Sequence, residues 1–256
     1  MIDIHSHILH GVDDGSKDFD TSLEMLKRAQ KDGTKKIIAT PHYCIDYAET
    51  PYNKIKELVE QFKIDIKKEN IDIEIYCGQE VYFSENMIKD YKEGIIGTIN
   101  NSRYMLFEVP MRNFDESTFD IIYELQVAGI VPILAHPERY KPIIENPLVI
   151  NRFIEEGVLL QINAGSIEGK FGKSVRKTAE ILLQNNLYNF IGSDAHNLQS
   201  RSTGISESVE LIKKINKNAD KLFKESSTNM LNNEEIEFYG EKLKTKKSIF
   251  SFLGKK

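Results

Sequence analysis

Six histidines occur in the 256 residues, and five of them sit where short apolar runs end. His5 and His7 close the run that begins Ile2-Asp3-Ile4, and His42 follows Ile37-Ile38-Ala39. His136 follows Val131 to Ala135, and Asp194 with His196 follow Leu187 to Ile191. Two carboxylates take comparable positions: Glu80, in Gly78-Gln79-Glu80 after the alternating stretch Ile71 to Ile75, and Glu108, inside Tyr104 to Val109. The steps from 5 to 42, 80, 108 and 136 are 37, 38, 28 and 28 residues, close to the roughly 30 of one strand–helix unit. Imidazole and carboxylate without thiolate form a donor set for borderline or hard divalent cations. There are more donors than one ion can take, so two or three ions are expected. Such a centre orients a substrate and generates hydroxide near neutral pH, which suits hydrolysis of phosphate esters. His10 has no matching run and reads as a loop residue. Glu108 has a second reading as the partner of Arg103 or Arg112, and Glu138 reads either as a support of the site or as a solvated group.

Those positions need a scaffold that points every strand end the same way. Apolar residues at helical spacing mark helices at 19–29, 55–66 and 119–125, with further helical stretches near 147–156 and 174–186. Between them lie strand-like runs at 2–5, 37–39, 71–75, 104–109, 131–135, 158–162 and 187–191. Strand and helix thus alternate seven times, which implies parallel strands joined by crossovers. If the sheet closes into a barrel, all strand C-termini face one mouth and the histidines and carboxylates converge there. Only the sixth strand end, at Asn163, offers no obvious ligand. Residues 205–231 read as a polar helix with no eighth apolar run. The simplest division is one domain over 1–240 followed by a basic tail at 241–256, which from 242 holds six lysines, no acid, and Ile249, Phe250, Phe252 and Leu253 between them.

Composition narrows the classes. With 40% apolar and 29% charged residues the chain is of ordinary globular type, and no run approaches the roughly 18 apolar residues of a membrane span. No secretory signal pattern is present, and two cysteines form no disulfide framework, so a cytoplasmic location is expected. A net charge of −5 argues against a nucleic-acid partner. The basic tail is a candidate for peripheral contact with an anionic membrane, and oligomeric state is not legible.

Taken together, the motifs resemble a known family. His5-Ser6-His7, Gly11-Val12-Asp13-Asp14-Gly15-Ser16, Thr40-Pro41-His42-Tyr43, His136-Pro137-Glu138-Arg139-Tyr140, Asn163-Ala164-Gly165-Ser166 and Gly192-Ser193-Asp194-Ala195-His196 occur in unbroken order over residues 1–201. They are similar to those of the PHP (polymerase and histidinol phosphatase) superfamily, and within it to bacterial manganese-dependent protein-tyrosine phosphatases of the capsular or exopolysaccharide type. The resemblance implies an α/β fold, a distorted TIM-like (β/α)7 barrel with its metal site at the C-terminal mouth. It further implies three divalent ions, Mn2+ with Fe, Zn, Co or Mg as other occupants, and removal of phosphate from tyrosines of a bacterial tyrosine kinase that controls capsule or exopolysaccharide synthesis. Carried over by position, His5, His7, Glu80 and Asp194 would hold one ion, and Glu80, Glu108 and His136 a second. Asp14, His42 and His196 would hold the third, Asp14 rather than Asp13 because it precedes the glycine. Arg139 and Arg201 match the two arginines that family places beside the substrate phosphate.

The expected reaction is attack on phosphorus by hydroxide generated on the metals, with cations and arginines holding the equatorial oxygens. Arginine suits this role because its fork binds phosphate oxygens in pairs. A tyrosine phenol, with a pKa of about 10, needs less protonation on leaving than an alkoxide. His42 and His196 are the candidate acids if metal does not engage them fully. Tyr43, Tyr140 and Phe171 are candidates to stack on the substrate ring. A cysteine phosphatase is excluded, because the residues six positions after Cys44 and Cys77 are Thr50 and Phe83, not arginine. No Gly-x-Ser-x-Gly elbow supports a serine triad. The competing readings are a histidinol-phosphate phosphatase with the same centre and a non-catalytic kinase-binding scaffold.

Overall fold

Nine short strands pair in parallel and trace seven lines of one curled sheet, as seen in a computed structural model that describes residues 1–244. The first line is β1 (Ile2–Ser6). The second is β2 (Lys36–Ala39) with β3 (His42–Tyr43), and the third is β4 (Glu74–Cys77) with β5 (Glu80–Tyr82). Single strands β6 (Tyr104–Glu108), β7 (Val131–Ala135), β8 (Leu159–Asn163) and β9 (Phe190–Gly192) complete the set. The order is β1-β2-β4 on one part and β3-β5-β6-β7-β8-β9 on the other. The second line breaks at Thr40-Pro41, where proline has no N–H to donate. Its carbonyl still accepts from Glu80 N at 3.0 Å, so the two parts remain joined. The ring closes through a parallel bridge between Ser6 and Ala195, with Asp194 N donating to His5 O and His7 N to Ala195 O. The result is a distorted (β/α)7 barrel.

Helices cover the outside: α1 (Phe19–Asp32), α2 (Tyr52–Lys68), α3 (Met87–Lys92), α4 (Glu116–Val127), α5 (Lys141–Glu145), α6 (Ile150–Glu155), α7 (Ala164–Glu168), α8 (Lys173–Gln184), α9 (Ser206–Ile215) and α10 (Ala219–Leu231). α1 shows why they form. Asp18 caps its first turn by accepting from Thr21 N, Leu23, Leu26 and Ala29 bury one stripe, and Gly33 ends it at φ 94°. Ile4, Ile38, Leu106, Ile133, Leu159 and Phe190 pack together with Met230 of α10. The stretch 205–231 is therefore two helices, not one polar helix. Asn216 leaves helical geometry (φ −138°, ψ 103°), and its side chain accepts from Asn218 N. α10 then brings a fully buried methionine against strand side chains.

The third strand starts later than the alternation of Ile71 to Ile75 suggested. Ile71 and Ile73 are buried, but pairing begins only at Glu74, opposite Lys36 where β2 begins. Residues 241–244 run along α6, with Leu243 N donating to Asn151 Oδ1 and Lys242 paired with Glu155. The remainder of the basic tail, from 245 on, lies outside the described residues. Among the described residues no helix is long and apolar enough to cross a membrane.

Candidate metal centre

His5 lies in β1 and His7 two residues on, so both side chains leave the same face of the strand line. Each ring has one nitrogen committed to an acceptor. His5 Nδ1 donates to Gln161 Oε1 of β8 at 3.0 Å, and His7 Nδ1 donates to Asp13 Oδ2 at 2.6 Å. A neutral imidazole so engaged keeps a bare lone pair on Nε2. The two Nε2 atoms face one another at 3.1 Å, fully buried. Glu80 Oε2 stands 3.0 and 3.3 Å from them, and Asp194 Oδ1 3.6 and 3.5 Å. Four acceptor atoms in so small a space repel unless a cation or proton lies among them. Burial opposes charge on both rings, yet the Glu80 and Asp13 carboxylates raise the pKa of His5 and bring His7 well above the ordinary imidazole value.

The pattern recurs alongside. His196 Nδ1 is 3.0 Å from the carbonyl of Asp194, which fixes its donor and leaves Nε2 buried without a hydrogen-bond partner, 3.4 Å from Asp14 Oδ1. His42 Nδ1 lies 3.2 Å from Glu80 Oε2 and 3.4 Å from Glu108 Oε1, while its Nε2 is 3.7 Å from Asp14 Oδ1. His136 Nε2 meets Glu80 Oε1 at 2.9 Å and lies 3.8 Å from Glu108 Oε2. Three sets of donor atoms each lie within 4.8 Å of one another: His5, His7, Glu80 and Asp194; His7, Asp14, His42 and His196; and His42, Glu80 and Glu108. The first is the same four residues that the resemblance grouped. The second gains His7, and in the third His42 stands where His136 was expected, with His136 reaching both carboxylates from the side. His136 (φ 37°) and Asp194 (φ 53°) hold left-handed backbone conformations, a strain that non-glycine residues keep only where the surroundings enforce it.

The charge balance also suits cation binding. Burial, with Glu80 and Asp194 close by, pushes the Glu108 carboxyl well above its usual range. His136 falls to about 4 through burial and the nearby Arg139. Arg103 bonds Asn233 rather than Glu108, and among the described residues Arg112 makes no ion pair with it. Arg139 and Arg201 both reach Asp194, at 2.8 and 2.5 Å on different oxygens. A guanidinium has five N–H donors, so each keeps several free.

Several residues support the ligands, and of these the sequence marked only Glu138 for that role. Asp13 orients His7 and accepts from His42 N at 2.9 Å and Gly15 N at 2.9 Å. Gln161 and Asn163 sit on alternate positions of an apolar strand, the one signal that could have found them. Asn163 Nδ2 donates to Asp194 Oδ2 at 2.6 Å. Glu138 is fully buried, not solvated, and accepts from Asn163 N and Tyr188 Oη, each at 2.9 Å. Two of the three candidate stacking rings are spent in the core: Tyr140 is wholly buried, its hydroxyl accepting from Val109 N, and Tyr43 packs with Val81 and Phe107. Phe171 instead carries the Arg139 guanidinium, 4.5 Å from its ring centre. His10 packs edge-on to Phe19 and Phe62, away from the cluster. Cys77 is buried and Cys44 partly so; both are free thiols.

The chain is similar to known proteins in sequence and in fold. Residues 1–232 match the family model for capsular polysaccharide synthesis, CpsB/CapC. The tyrosine-protein phosphatase YwqE of Bacillus subtilis (strain 168) is 34% identical over 214 residues, 84% of each chain. The tyrosine-protein phosphatase CpsB of Streptococcus pneumoniae is 32% identical over 219 residues, covering 84% of this chain and 90% of that one. A crystal structure from a study of YwqE and pneumococcal CpsB, described there as unique metal-dependent tyrosine phosphatases, superposes with a TM-score of 0.89 at 32% identity, over 96% of this chain and 100% of the other. The chain belongs to the CpsB/CapC family of capsular polysaccharide synthesis proteins.

Proposed function

We propose that this chain is a metal-dependent protein-tyrosine phosphatase whose centre is the His/carboxylate cluster at the barrel mouth. One observation carries the reading: Nε2 of His5 and of His7 converge at 3.1 Å with Glu80 Oε2 within 3.3 Å of both, while Nδ1 of His5, His7 and His196 is engaged by acceptors elsewhere. His5, His7, Glu80 and Asp194 would hold one divalent ion, Asp14, His42 and His196 another, and Glu80, Glu108 and His136 a third, with His7 and His42 near enough to be shared. Bound there, divalent cations supply a hydroxide near neutral pH and neutralise phosphate charge. The protein's own part is positional. Arg139 and Arg201, anchored on Asp194, direct their remaining N–H groups at phosphate oxygens, where paired hydrogen bonds strengthen as charge builds on the transferring group. Gln161 and Asp13 fix the ring orientations on which the donor atoms depend. His42 or His196 would protonate the departing phenolate only through a ring nitrogen that no ion engages. Manganese is the proposed ion, with iron, zinc, cobalt or magnesium chemically admissible. The proposed partner is a phosphotyrosine-bearing bacterial tyrosine kinase of the capsule pathway, met in the cytoplasm.

The deciding experiment is phosphate release from a phosphotyrosyl peptide by manganese-loaded protein, with histidinol phosphate and a phosphoseryl peptide alongside, and metal content measured on the same samples. Turnover of the phosphotyrosyl peptide that disappears with chelator supports the reading. Preference for histidinol phosphate overturns the substrate, and no turnover of any of the three by metal-replete protein leaves only a binding role.

A further inference from the structure

Immediately after His42 the chain makes a pinned loop, Cys44 to Ala48. Cys44 and Ala48 exchange both backbone hydrogen bonds, at 2.8 and 2.9 Å, and Tyr47 N donates to Cys44 O at 3.1 Å. Asp46 takes a left-handed conformation (φ 64°), its N–H donating to Glu49 Oε1. The loop is therefore held, yet its two large apolar side chains point outward. Ile45 is 42% exposed and Tyr47 63%. Leaving apolar surface in water forgoes the stabilisation of burial and is informative when two such residues share one short loop. The Tyr47 ring stands edge-on to the His42 imidazole, with centres 6.4 Å apart. It also lines an open cleft of about 490 Å³ with Asp13, Asp14 and Lys17. An aromatic face thus stands at the edge of the donor cluster, clear of the core, on a loop whose backbone is held.

We infer that Tyr47, presented by the pinned 44–48 loop, is a specificity-determining platform that receives the phenyl ring of an aryl phosphate ester. The inference rests on the phosphatase reading for the phosphate end and adds the side that selects the alcohol. In phosphotyrosine the ring is one oxygen from phosphorus, so a substrate held by the donor cluster places its ring beside the groups that flank that cluster. In phosphoserine the same position holds a methylene group, which offers Tyr47 little surface. Aromatic pairs in offset or edge-on contact add selectivity beyond area alone. Tyr140 and Tyr43 are packed in the core and Phe171 carries the Arg139 guanidinium, whereas Tyr47 stands exposed beside His42.

Two non-hydrolysable probes test it at equilibrium: phenylphosphonate and methylphosphonate, titrated by calorimetry into metal-loaded wild-type, Tyr47→Phe and Tyr47→Ala proteins. The expected result is that Tyr47→Ala narrows the phenyl-over-methyl affinity ratio by about two- to tenfold, the range of an aromatic contact, while Tyr47→Phe keeps it. An unchanged ratio in Tyr47→Ala overturns the proposal, as does an equal weakening of both probes, which would make Tyr47 a prop for His42. Turnover of the phosphotyrosyl peptide by wild-type protein is measured separately. If it is absent while the ratio still depends on Tyr47, the phosphatase reading falls and the aryl platform stands.

Discussion

Two buried polar clusters meet at Asp194 and are built on opposite principles. In the one formed by Glu138, Asn163 and Tyr188, donors and acceptors match: each Glu138 oxygen accepts one hydrogen bond, and Asn163 uses its backbone N–H, its side-chain oxygen and its amide N–H. In the other, acceptors outnumber donors, and His42 Nδ1, Glu80 Oε2, His136 Nδ1 and His196 Nε2 are buried without a hydrogen-bond partner. These unpartnered atoms are as buried as those of the matched cluster, so burial alone does not mark a site. The mismatch does. A satisfied network holds a fold together, whereas an acceptor surplus is tolerated only where something positive is meant to enter. Asn163 joins the two, taking its own position from Glu138 and handing Asp194 a hydrogen bond.

The sharpest way to break the comparison is to remove the acceptor that touches most of the surplus. Glu80 approaches His5, His7, His42 and His136 within 3.3 Å. Glu80→Gln is expected to lower phosphotyrosyl-peptide turnover by at least about a hundredfold, the upper end of what loss of a mere outer partner of a ligand produces. It is also expected to erase most of the thermal stabilisation by metal. For wild type at a thousandfold excess of ion over its dissociation constant, that stabilisation is about 4 kcal/mol. Scanning calorimetry with and without manganese reads the difference. A full metal-dependent rise in Tm for Glu80→Gln would mean the surplus is not a metal site.

Glu138→Ala attacks the satisfied cluster instead. It strands the buried Asn163 N–H and Tyr188 O–H, at a cost of about 3 kcal/mol in urea unfolding. The loss is expected to be of similar size with and without manganese, because no acceptor of the surplus is removed. Should the loss appear only in the metal-loaded protein, the two clusters act as one.

These two experiments probe features of unequal legibility. The seven apolar runs and the donor at nearly every strand end could be read in the chain, because strand C-termini of parallel lines share a mouth whatever the details of twist. Which of Asp13 and Asp14 faces the ions could not be read from position alone, since adjacent loop residues point different ways and only the fold shows that Asp13 is taken by His7. The break at Thr40-Pro41 was likewise visible as a proline but not as a gap that leaves His42 on a separate short strand. Tyr47 gave no signal at all: an aromatic in a polar loop is ordinary until its exposure and its neighbour are known.

Proton titration separates the clusters by sign. Burial raises the Glu138 carboxyl above its usual range despite the donors around it. A raised folded-state value contributes stability that is full below the unfolded value and lost as pH rises through the folded one. The stability difference between wild type and Glu138→Gln therefore shrinks from about pH 4 upward. The metal-dependent increment runs the other way. Imidazoles must be neutral to bind, and His5 and His7 are held above their ordinary value, so protons compete with cations and the increment grows as pH rises beyond the ordinary imidazole value of about 6.5. His136, held near 4, takes no part in that rise. Unfolding curves at a series of pH values, with and without manganese, check both slopes; parallel slopes would erase the distinction.

The smallest effect concerns Phe171, whose ring packs against the Arg139 guanidinium. The guanidinium lies 4.5 Å from the ring centre and donates to Asp194 at 2.8 Å. Removing the ring by Phe171→Leu keeps the ion pair and forfeits an exposed cation–π contact, equivalent to about a two- to fivefold change. Because Asp194 still anchors Arg139, the loss is expected in KM for the phosphotyrosyl peptide, with kcat nearly preserved. The opposite split would be more instructive. A fall in kcat at constant KM would mean that the ring acts through Arg139 on Asp194 and so on the acceptor surplus itself. The boundary between substrate-holding and cation-holding residues would then run outside Arg139 rather than between it and Asp194.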